Sequence, residues 1–171
     1  AFYLSKVARQ QPNHPAKCVS WIDAQAWCAW ASAKAKAEIR LPSEVEWEKA
    51  ARGTDGREYP WGNVGPSARH ANFGRREAWL KASGEGEWKF TTPVGKFSPV
   101  GDSPYGLMDA AGNVWEWCQD WYDAEQKSRA VRGGSFDSNA DIVRCACHDW
   151  DDPSDHDAGI GFRVVLCSPF P

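Results

Sequence analysis

The chain has 171 residues, 11 of them Trp, and a formal net charge of −3 from 20 basic and 23 acidic residues. With this charge balance, the sequence shows no basic surface of the kind that binds nucleic acid or an anionic membrane. No apolar run is long enough to cross a bilayer, and no signal-peptide pattern is found at the start of the sequence. The length predicts one domain over residues 1–171, and so many large rings predict a core held by aromatic packing in a fold with little regular secondary structure.

The first helix signal lies near the start of the chain. Residues 1–19 predict a short strand and a loop, after which Ser20 and Asp23 resemble a capping box. The helix that they open is predicted to run to about Lys36. Apolar positions recur at helical spacing and predict one buried face: Trp21, Ala24, Trp27, Cys28 and Ala31.

A second helix is predicted a few residues later. Ser43 with Glu46 makes another capping box, and Gly53 is predicted to stop the helix. Its predicted packing residues are Val45, Trp47, Ala50 and Ala51. Residues 53–100 then show little periodicity and many Gly and Pro. This predicts a long ordered coil whose backbone groups need side chains, water or ions as partners.

The strongest strand signal is the segment 112–118. Alternation predicts one face made by Val114, Glu116 and Cys118 and another made by Trp115 and Trp117. A glutamate that points inward from such an apolar strand needs a partner, either a cation or a buried arginine such as Arg132 or Arg163. Shorter extended pieces are predicted at 92–95 and 106–109.

The tail from 132 to 165 has two regular ends and a polar middle. Residues 132–136 predict a turn entering a strand, and residues 159–166 predict a turn followed by a closing β-strand. The stretch between them, 137–158, holds seven of the 13 Asp and no Glu, Gln, Lys or Met. A polar loop on a rigid frame is the usual architecture of a binding surface, although Asp also suits turns on its own account.

Two features of this polar stretch contain residue types that are used in catalysis or metal binding. His148 and His156 lie among carboxylates, but no nucleophile stands out beside them, so we favour histidines on a solvated acidic surface over acid–base catalysis. The Asp cluster at 149, 151 and 152 offers hard oxygen ligands, but it lacks the ligand spacing and the glycine of a calcium loop.

The six cysteines, at 18, 28, 118, 145, 147 and 167, are scattered and form no CxxC motif. Cys145 and Cys147 are two apart on a predicted strand and therefore on the same face, where neighbours rarely close a disulfide. Zinc is not favoured by this spacing. Buried free thiols are the default expectation, and bridges between distant cysteines stay open.

Eight short motifs follow one another through the chain: Val19–Ala24, Arg40–Glu48, Ala50–Gly53, Tyr59–Gly62, Tyr105–Leu107, Ala111–Trp117, Arg132–Ser135 and Gly161–Arg163. Together they resemble the family of formylglycine-generating enzymes, the sulfatase-modifying factors, over about residues 20–165. The resemblance implies an α+β, C-type-lectin-like fold of the formylglycine-generating-enzyme type, with two helices, small antiparallel sheets and much ordered coil.

The oxidase activity of that family is not implied by the same motifs. Family members that oxidise a sulfatase cysteine carry a cysteine pair shortly after the Gly-Gly-Ser turn, which binds copper, a metal suited to soft thiolates. The equivalent positions here lie near Ser138 and Val143, and neither is Cys. Cys145 and Cys147 match only if the alignment is shifted, so the copper-dependent oxidase is the alternative interpretation.

A second branch of the fold resembles the tail more closely, namely the variable proteins of diversity-generating retroelements. In that branch a Gly-Gly-Ser-aromatic entry and a Gly-Phe-Arg exit bracket positions diversified by adenine-directed mutagenesis of Asn-type codons. Such mutagenesis reaches Asp, Asn, Ser, His, Tyr, Cys, Ile and Ala, but not Glu, Gln, Lys, Met or Trp. This resemblance implies a variable ligand-binding region at about 132–165, in which Trp150 is a fixed position.

The diversified positions implied by this resemblance are Asp137, Ser138, Asn139, Asp141, Ile142, Cys147, His148, Asp149, Asp151, Asp152, Ser154, Asp155, His156, Asp157 and Ala158. The implied fixed framework is Ala140, Val143, Arg144, Cys145, Ala146, Pro153, Gly159, Ile160 and Gly161. We therefore expect a non-catalytic protein that binds a ligand, most plausibly a protein, through this surface, without nucleic acid and without membrane insertion. The acidic surface favours a basic or polar partner.

The family also implies a structural calcium, although no cofactor is required for binding. The matching positions are Asn72 with the Phe73 carbonyl, and Asn113 with the Val114 carbonyl and Glu116. The region near Gly86 lacks an Asp that the family often supplies, which weakens the first of these two sites.

Overall fold

The computed structural model describes residues 12–74 and 90–167. Its elements in chain order are α1 (Trp21–Ala35), β1 (Glu38–Arg40), α2 (Glu44–Arg52), β2 (Trp115–Trp121), β3 (Arg129–Arg132), β4 (His148–Asp151), β5 (Ile160–Gly161) and β6 (Val165–Cys167). The described strands form a four-stranded sheet in the order β4-β3-β2-β5 and a two-stranded sheet of β1 and β6. The strand predicted at the start of the chain lies outside the described residues.

Both helices begin and end where the capping residues predicted. The Ser20 hydroxyl accepts the Asp23 N–H at 3.0 Å, while the Asp23 carboxylate accepts the Ser20 N–H. Ser43 and Glu46 repeat this exchange on α2. α1 ends at Lys36 in the left-handed conformation, and α2 ends at Gly53. No helix in the described ranges has the length and hydropathy needed to cross a membrane.

The buried faces of the helices are narrower than the apolar pattern predicted. Ala24 and Cys28 of α1 are buried as expected, but Trp27 is 44% exposed and meets Phe162 edge-on, with ring centroids 5.6 Å apart. Val45 is 78% exposed, so its predicted packing role is wrong. The core face of α2 is set by its buried Trp47 one turn before Ala51, and Val45 lies off that stripe.

β2 has the two faces that the alternation predicted, but it begins at Trp115 instead of Gly112. On one face, Trp117 packs with Ala24, Cys28 and Leu41 around α1. On the other face, Cys118 packs with Trp47 of α2. Because this part of β2 is covered on both sides, the consecutive residues Glu116, Trp117 and Cys118 are all buried, and the Glu116 carboxylate lies inside the protein.

The observed tail differs from its prediction in three details, and the coil before it differs in one. β3 precedes the Gly133–Gly134 turn, whereas we expected a strand after it. Four residues of the predicted loop form β4, which pairs antiparallel with β3. The closing strand is divided into β5 and β6, and the extended pieces expected at 92–95 and 106–109 belong to irregular, turn-rich coil. Both glycines of the turn have left-handed φ angles of 94° and 73°, which lets the chain leave the sheet abruptly.

Candidate ligand-binding surface

The predicted variable positions lie on the outside of the tail, with one exception. Of the fifteen, nine are exposed, five are half-buried and only Ser138 is buried. Val143, Cys145, Gly159, Ile160 and Gly161 of the predicted framework are buried, whereas Ala140, Arg144 and Ala146 are exposed and Pro153 is half-buried. The backbone therefore directs most proposed variable side chains to solvent and about half of the framework to the interior.

Main-chain hydrogen bonds hold this tail to the rest of the protein. The carbonyls of Ser138, Pro153 and Asp157 accept the N–H groups of Gly74, Ile22 and Cys18, at 2.7, 3.4 and 3.1 Å. The Cys145 N–H donates to the Glu58 carbonyl at 2.9 Å. β4 adds its ladder with β3. Since these bonds involve no side chain, they survive a change of residue at the surface positions.

Ser138 is buried because it belongs to the turn that starts the tail. Its hydroxyl accepts the Ser135 N–H at 2.9 Å. A Cβ placed on Gly134 would lie 3.3 Å from the Ser138 hydroxyl and 3.0 Å from a Val143 methyl group. The two positions that match the family's cysteine pair are thus neighbours beneath Gly134, but they hold a hydroxyl and an isopropyl group. We leave Ser138 out of the proposed contact surface.

Many of the aspartates cap nearby backbone groups. Asp149 accepts the Trp150 N–H, and Asp151 accepts the Asp152 N–H, at 2.9 and 2.8 Å. Asn139 makes the same kind of turn with Asp141. This is the local bonding for which short polar residues are favoured in turns. The richness in Asp therefore has a structural cause, and it is the outward placement of these side chains that supports a binding surface.

Two histidines join the surface to the helix N-termini. His148 Nδ1 lies 3.1 Å from a Glu44 carboxylate oxygen in the first turn of α2. His156 Nε2 lies 2.9 Å from a carboxylate oxygen of Asp23 in the first turn of α1. All four side chains are at least partly exposed, so these contacts stabilise the fold only slightly, by about 0–1 kcal/mol each. In both of these contacts the partner of the ring is thus a carboxylate of a helix N-terminus, not a hydroxyl or thiol.

A cleft of about 520 Å³ opens on one side of the surface. Five predicted positions line it: Asp137, Ser138, Asn139, Ile142 and Asp149. Gly74 and Trp115 complete the lining, and neither was assigned to the site from the sequence. Of these two residues, Trp115 could have been recognised from the sequence, since it precedes the inward-facing Glu116 on β2 and therefore points to the opposite face. The cleft combines an aromatic wall with carboxylates, which suits a polar or positively charged group.

The charge of the surface is strongly negative. Residues 137–158 contain seven Asp and one Arg, a formal charge of −6 with His neutral, although the whole chain carries only −3. Burial, together with the nearby carboxylates of Asp155 and Asp157, raises the pKa of Asp151. Crowding of this kind favours a cationic partner, which would relieve the repulsion.

The cysteines do not fit a copper centre. Cys145 lies in a turn, not on the predicted strand, and packs in the core beside Trp47. Burial raises the pKa of its thiol to about 12, and burial also raises the pKa of half-buried Cys147. Copper is bound by thiolates, and burial in the core disfavours the charged thiolate form of Cys145. Four of the six cysteines are buried, whereas Cys147 and Cys167 are half-buried, so burial was expected too broadly.

The two side-chain groups expected to hold calcium near β2, on Asn113 and Glu116, have protein partners. Arg163 makes a two-point ion pair with Glu116, one contact of which is 2.6 Å, and the Trp47 indole donates to the same carboxylate. The Asn113 side-chain oxygen accepts the Thr92 N–H at 2.9 Å. Arg163, and not Arg132, is thus the partner of Glu116, and calcium at Asn113, Val114 and Glu116 stays a prediction.

The other calcium site, at Asn72 and Phe73, stays a prediction. The Asn72 side-chain oxygen is buried and has no hydrogen-bond partner among the described residues. No group of three or more His, Cys, Asp or Glu side chains in residues 12–74 and 90–167 is arranged to hold a metal.

The α+β architecture, with two helices, small sheets and much ordered coil, is that of a C-type-lectin-like fold. The chain belongs to the sulfatase-modifying factor family, since the sulfatase-modifying factor enzyme 1-like domain matches residues 4–167. It is 38% identical over 179 residues to a formylglycine-generating enzyme of Thermomonospora curvata, covering 91% of this chain and 56% of that protein.

Other relatives differ in their described activity. An inactive Cα-formylglycine-generating enzyme 2 of Bos taurus is 42% identical over 136 residues, covering 78% of this chain and 42% of that protein. The structure of Treponema denticola variable protein 1 superposes with a TM-score of 0.75 at 26% identity, covering 94% of this chain and 73% of that one. The predicted resemblance to a variable protein with this type of fold is thereby confirmed. The chain spans about half the length of the two curated relatives.

Proposed function

We propose that this protein binds another protein as its ligand, without catalysis, through a diversified surface displayed by residues 137–158. The observation that carries the proposal is the combination of outward side chains with a backbone held by main-chain hydrogen bonds to Cys18, Ile22, Glu58 and Gly74. Such an arrangement allows residues to be exchanged without disturbing the core, which is the physical basis of antibody-like recognition.

The similarity to a variable protein supports diversification of this surface, and the similarity to formylglycine-generating enzymes supports an alternative. In the alternative, the protein oxidises a sulfatase cysteine or is an accessory domain of that family. The serine and valine beneath Gly134 argue against the oxidase. Copper-dependent oxidation of a sulfatase peptide, lost on Cys145→Ser or Cys147→Ser, would establish it instead.

A displayed library tests the proposal directly. The nine exposed positions would be varied over the residues reachable from Asn-type codons, and the library would be selected against a panel of purified proteins. A control library would vary nine exposed scaffold residues outside the tail over the same residue types. We expect specific binders from the tail library and few from the control. Equal yields from both libraries would mean that the tail has no special binding role.

The coding DNA offers an independent check. Repeated sequencing of the gene in a growing population should find adenine-derived substitutions concentrated in the codons of residues 137–158. A near-duplicate of that region beside a reverse-transcriptase gene would supply the template. Substitutions spread evenly along the gene would contradict diversification, while leaving open that the surface binds one constant ligand.

A further inference from the structure

An exposed aromatic group lies on the face of β4 opposite Asp149. Because residues two apart share a face of a strand, His148 and Trp150 lie side by side. The ring of Tyr122, just beyond the end of β2, lies 5.3 Å from His148 and 6.4 Å from Trp150, measured between centroids. Trp150 is 53% exposed and Tyr122 is 40% exposed. We call these three rings the aromatic platform.

Packing in the protein core does not account for the position of the aromatic platform. The core clusters on either side of β2 do not include its rings. Two large rings at the surface of an edge strand expose apolar area to water, which is unfavourable. Their exposure therefore favours a role in contact with a partner. Large aromatic side chains at the centre of a polar surface are also the residues that most often dominate protein–protein binding.

The edge of β4 limits how a partner can approach. The N–H groups of Trp150 and Asp152 are bonded to the carboxylates of Asp149 and Asp151. These donors already have acceptors, which disfavours pairing with an added strand and favours contact through side chains. The platform belongs to a surface with a formal charge of −6, and Glu44 lies against His148. Aromatic faces beside carboxylates are complementary to a guanidinium group.

We propose that Trp150, supported by Tyr122, is a constant anchor that receives an arginine side chain from a basic protein ligand. This inference rests on the proposed function, and it adds the chemistry of the partner. In it, the neighbouring aspartates vary to fit each ligand, while the arginine on the Trp150 ring supplies a contact common to all of them.

The test uses peptide probes and the indole N–H signals of the ¹⁵N-labelled protein. The probe is acetyl-Gly-Arg-Gly-Arg-Gly-amide, and its control replaces Arg by citrulline, which has nearly the same shape without the charge. The Trp150 signal is identified by its loss in Trp150→Phe. We expect a saturable shift of that signal with the arginine peptide and little shift with citrulline, and Trp150→Ala should weaken binding by roughly tenfold.

Trp30 is the matched control, because it is 57% exposed but belongs to α1. If its signal shifts as much as that of Trp150, or if citrulline binds as well as arginine, the inference is wrong. An unchanged melting temperature of Trp150→Ala, with Tyr122→Ala as a second variant, excludes unfolding as the cause of a loss. Failure of this test combined with specific binders from the tail library would reject the anchor and keep the proposed function. An empty tail library rejects the proposed function itself.

Discussion

Replacing three aspartates of the surface should remove binding and leave the fold intact. In the variant Asp149→Ala, Asp151→Ala, Asp155→Ala, the protein loses two exposed hydrogen bonds to backbone N–H groups. Each such bond contributes about 0.5–1 kcal/mol. The loss is offset in part because the carboxylates that raise the pKa of Asp151 no longer repel one another. The net cost is about 0–1 kcal/mol, or roughly 0–4 °C for a chain of this length.

The assay pairs a melting curve with binding to a ligand selected by the unmodified surface. Val143→Ala is the control, because Val143 is 1% exposed and its truncation leaves a cavity. This control should cost about 2–3 kcal/mol and lower the melting temperature by roughly 5–10 °C. Binding should fall at least a hundredfold in the triple aspartate variant, an expectation of about 3 kcal/mol set by the size of binding hot spots. A triple variant that melts as low as the Val143 control would refute the separation of surface from scaffold.

Three further substitutions test particular contacts. Ser138→Ala should cost about 1–3 kcal/mol by leaving a buried N–H unpaired, and a melting curve unchanged within error would contradict its burial. Arg40 lowers the pKa of Glu46 to about 2, below its ordinary value near 4.5, so the stability this carboxylate contributes is lost as pH falls between those values. In Glu46→Gln, the free energy of unfolding should therefore fall less steeply as the pH is lowered from about 4.5 to about 2. An unchanged pH dependence would contradict a stabilising Arg40–Glu46 ion pair. Arg163→Leu should cost about 3–5 kcal/mol by leaving the buried Glu116 carboxylate uncompensated, and Glu116→Gln in the same chain should restore part of it.

The features that the sequence predicted well are those governed by local chemistry. The ends of both helices follow from hydroxyl and carboxylate groups that satisfy nearby N–H groups, and these bonds need no knowledge of the rest of the fold. The strand at β2 was predicted from its alternation at 112–118, three residues before the observed Trp115–Trp121. The outward placement of the tail was anticipated from its polarity, which excluded it from the core.

The features that the sequence missed depend on distant partners. β4 looks like a loop because His148–Asp151 is polar, and it becomes a strand only because β3 offers a ladder. Trp115 joins the cleft because the Gly159 carbonyl accepts its N–H at 2.7 Å and the tail folds back beside it. Ser138 is buried by the sharp turn at Gly134, which no alternation pattern encodes.

The central claim is that the backbone of residues 137–158 keeps its conformation whatever its surface side chains are. The most direct measurement is amide hydrogen exchange on a set of clones drawn at random from the unselected tail library. The amides of Gly74 and Trp115 donate to carbonyls of the tail, and the tail amide of Cys145 donates to the Glu58 carbonyl. We predict that all three amides keep their protection from exchange, and that the melting temperatures stay within about 5 °C of the parent. Loss of protection at these amides in most clones would contradict the claim, because the surface side chains would then be holding the tail in place.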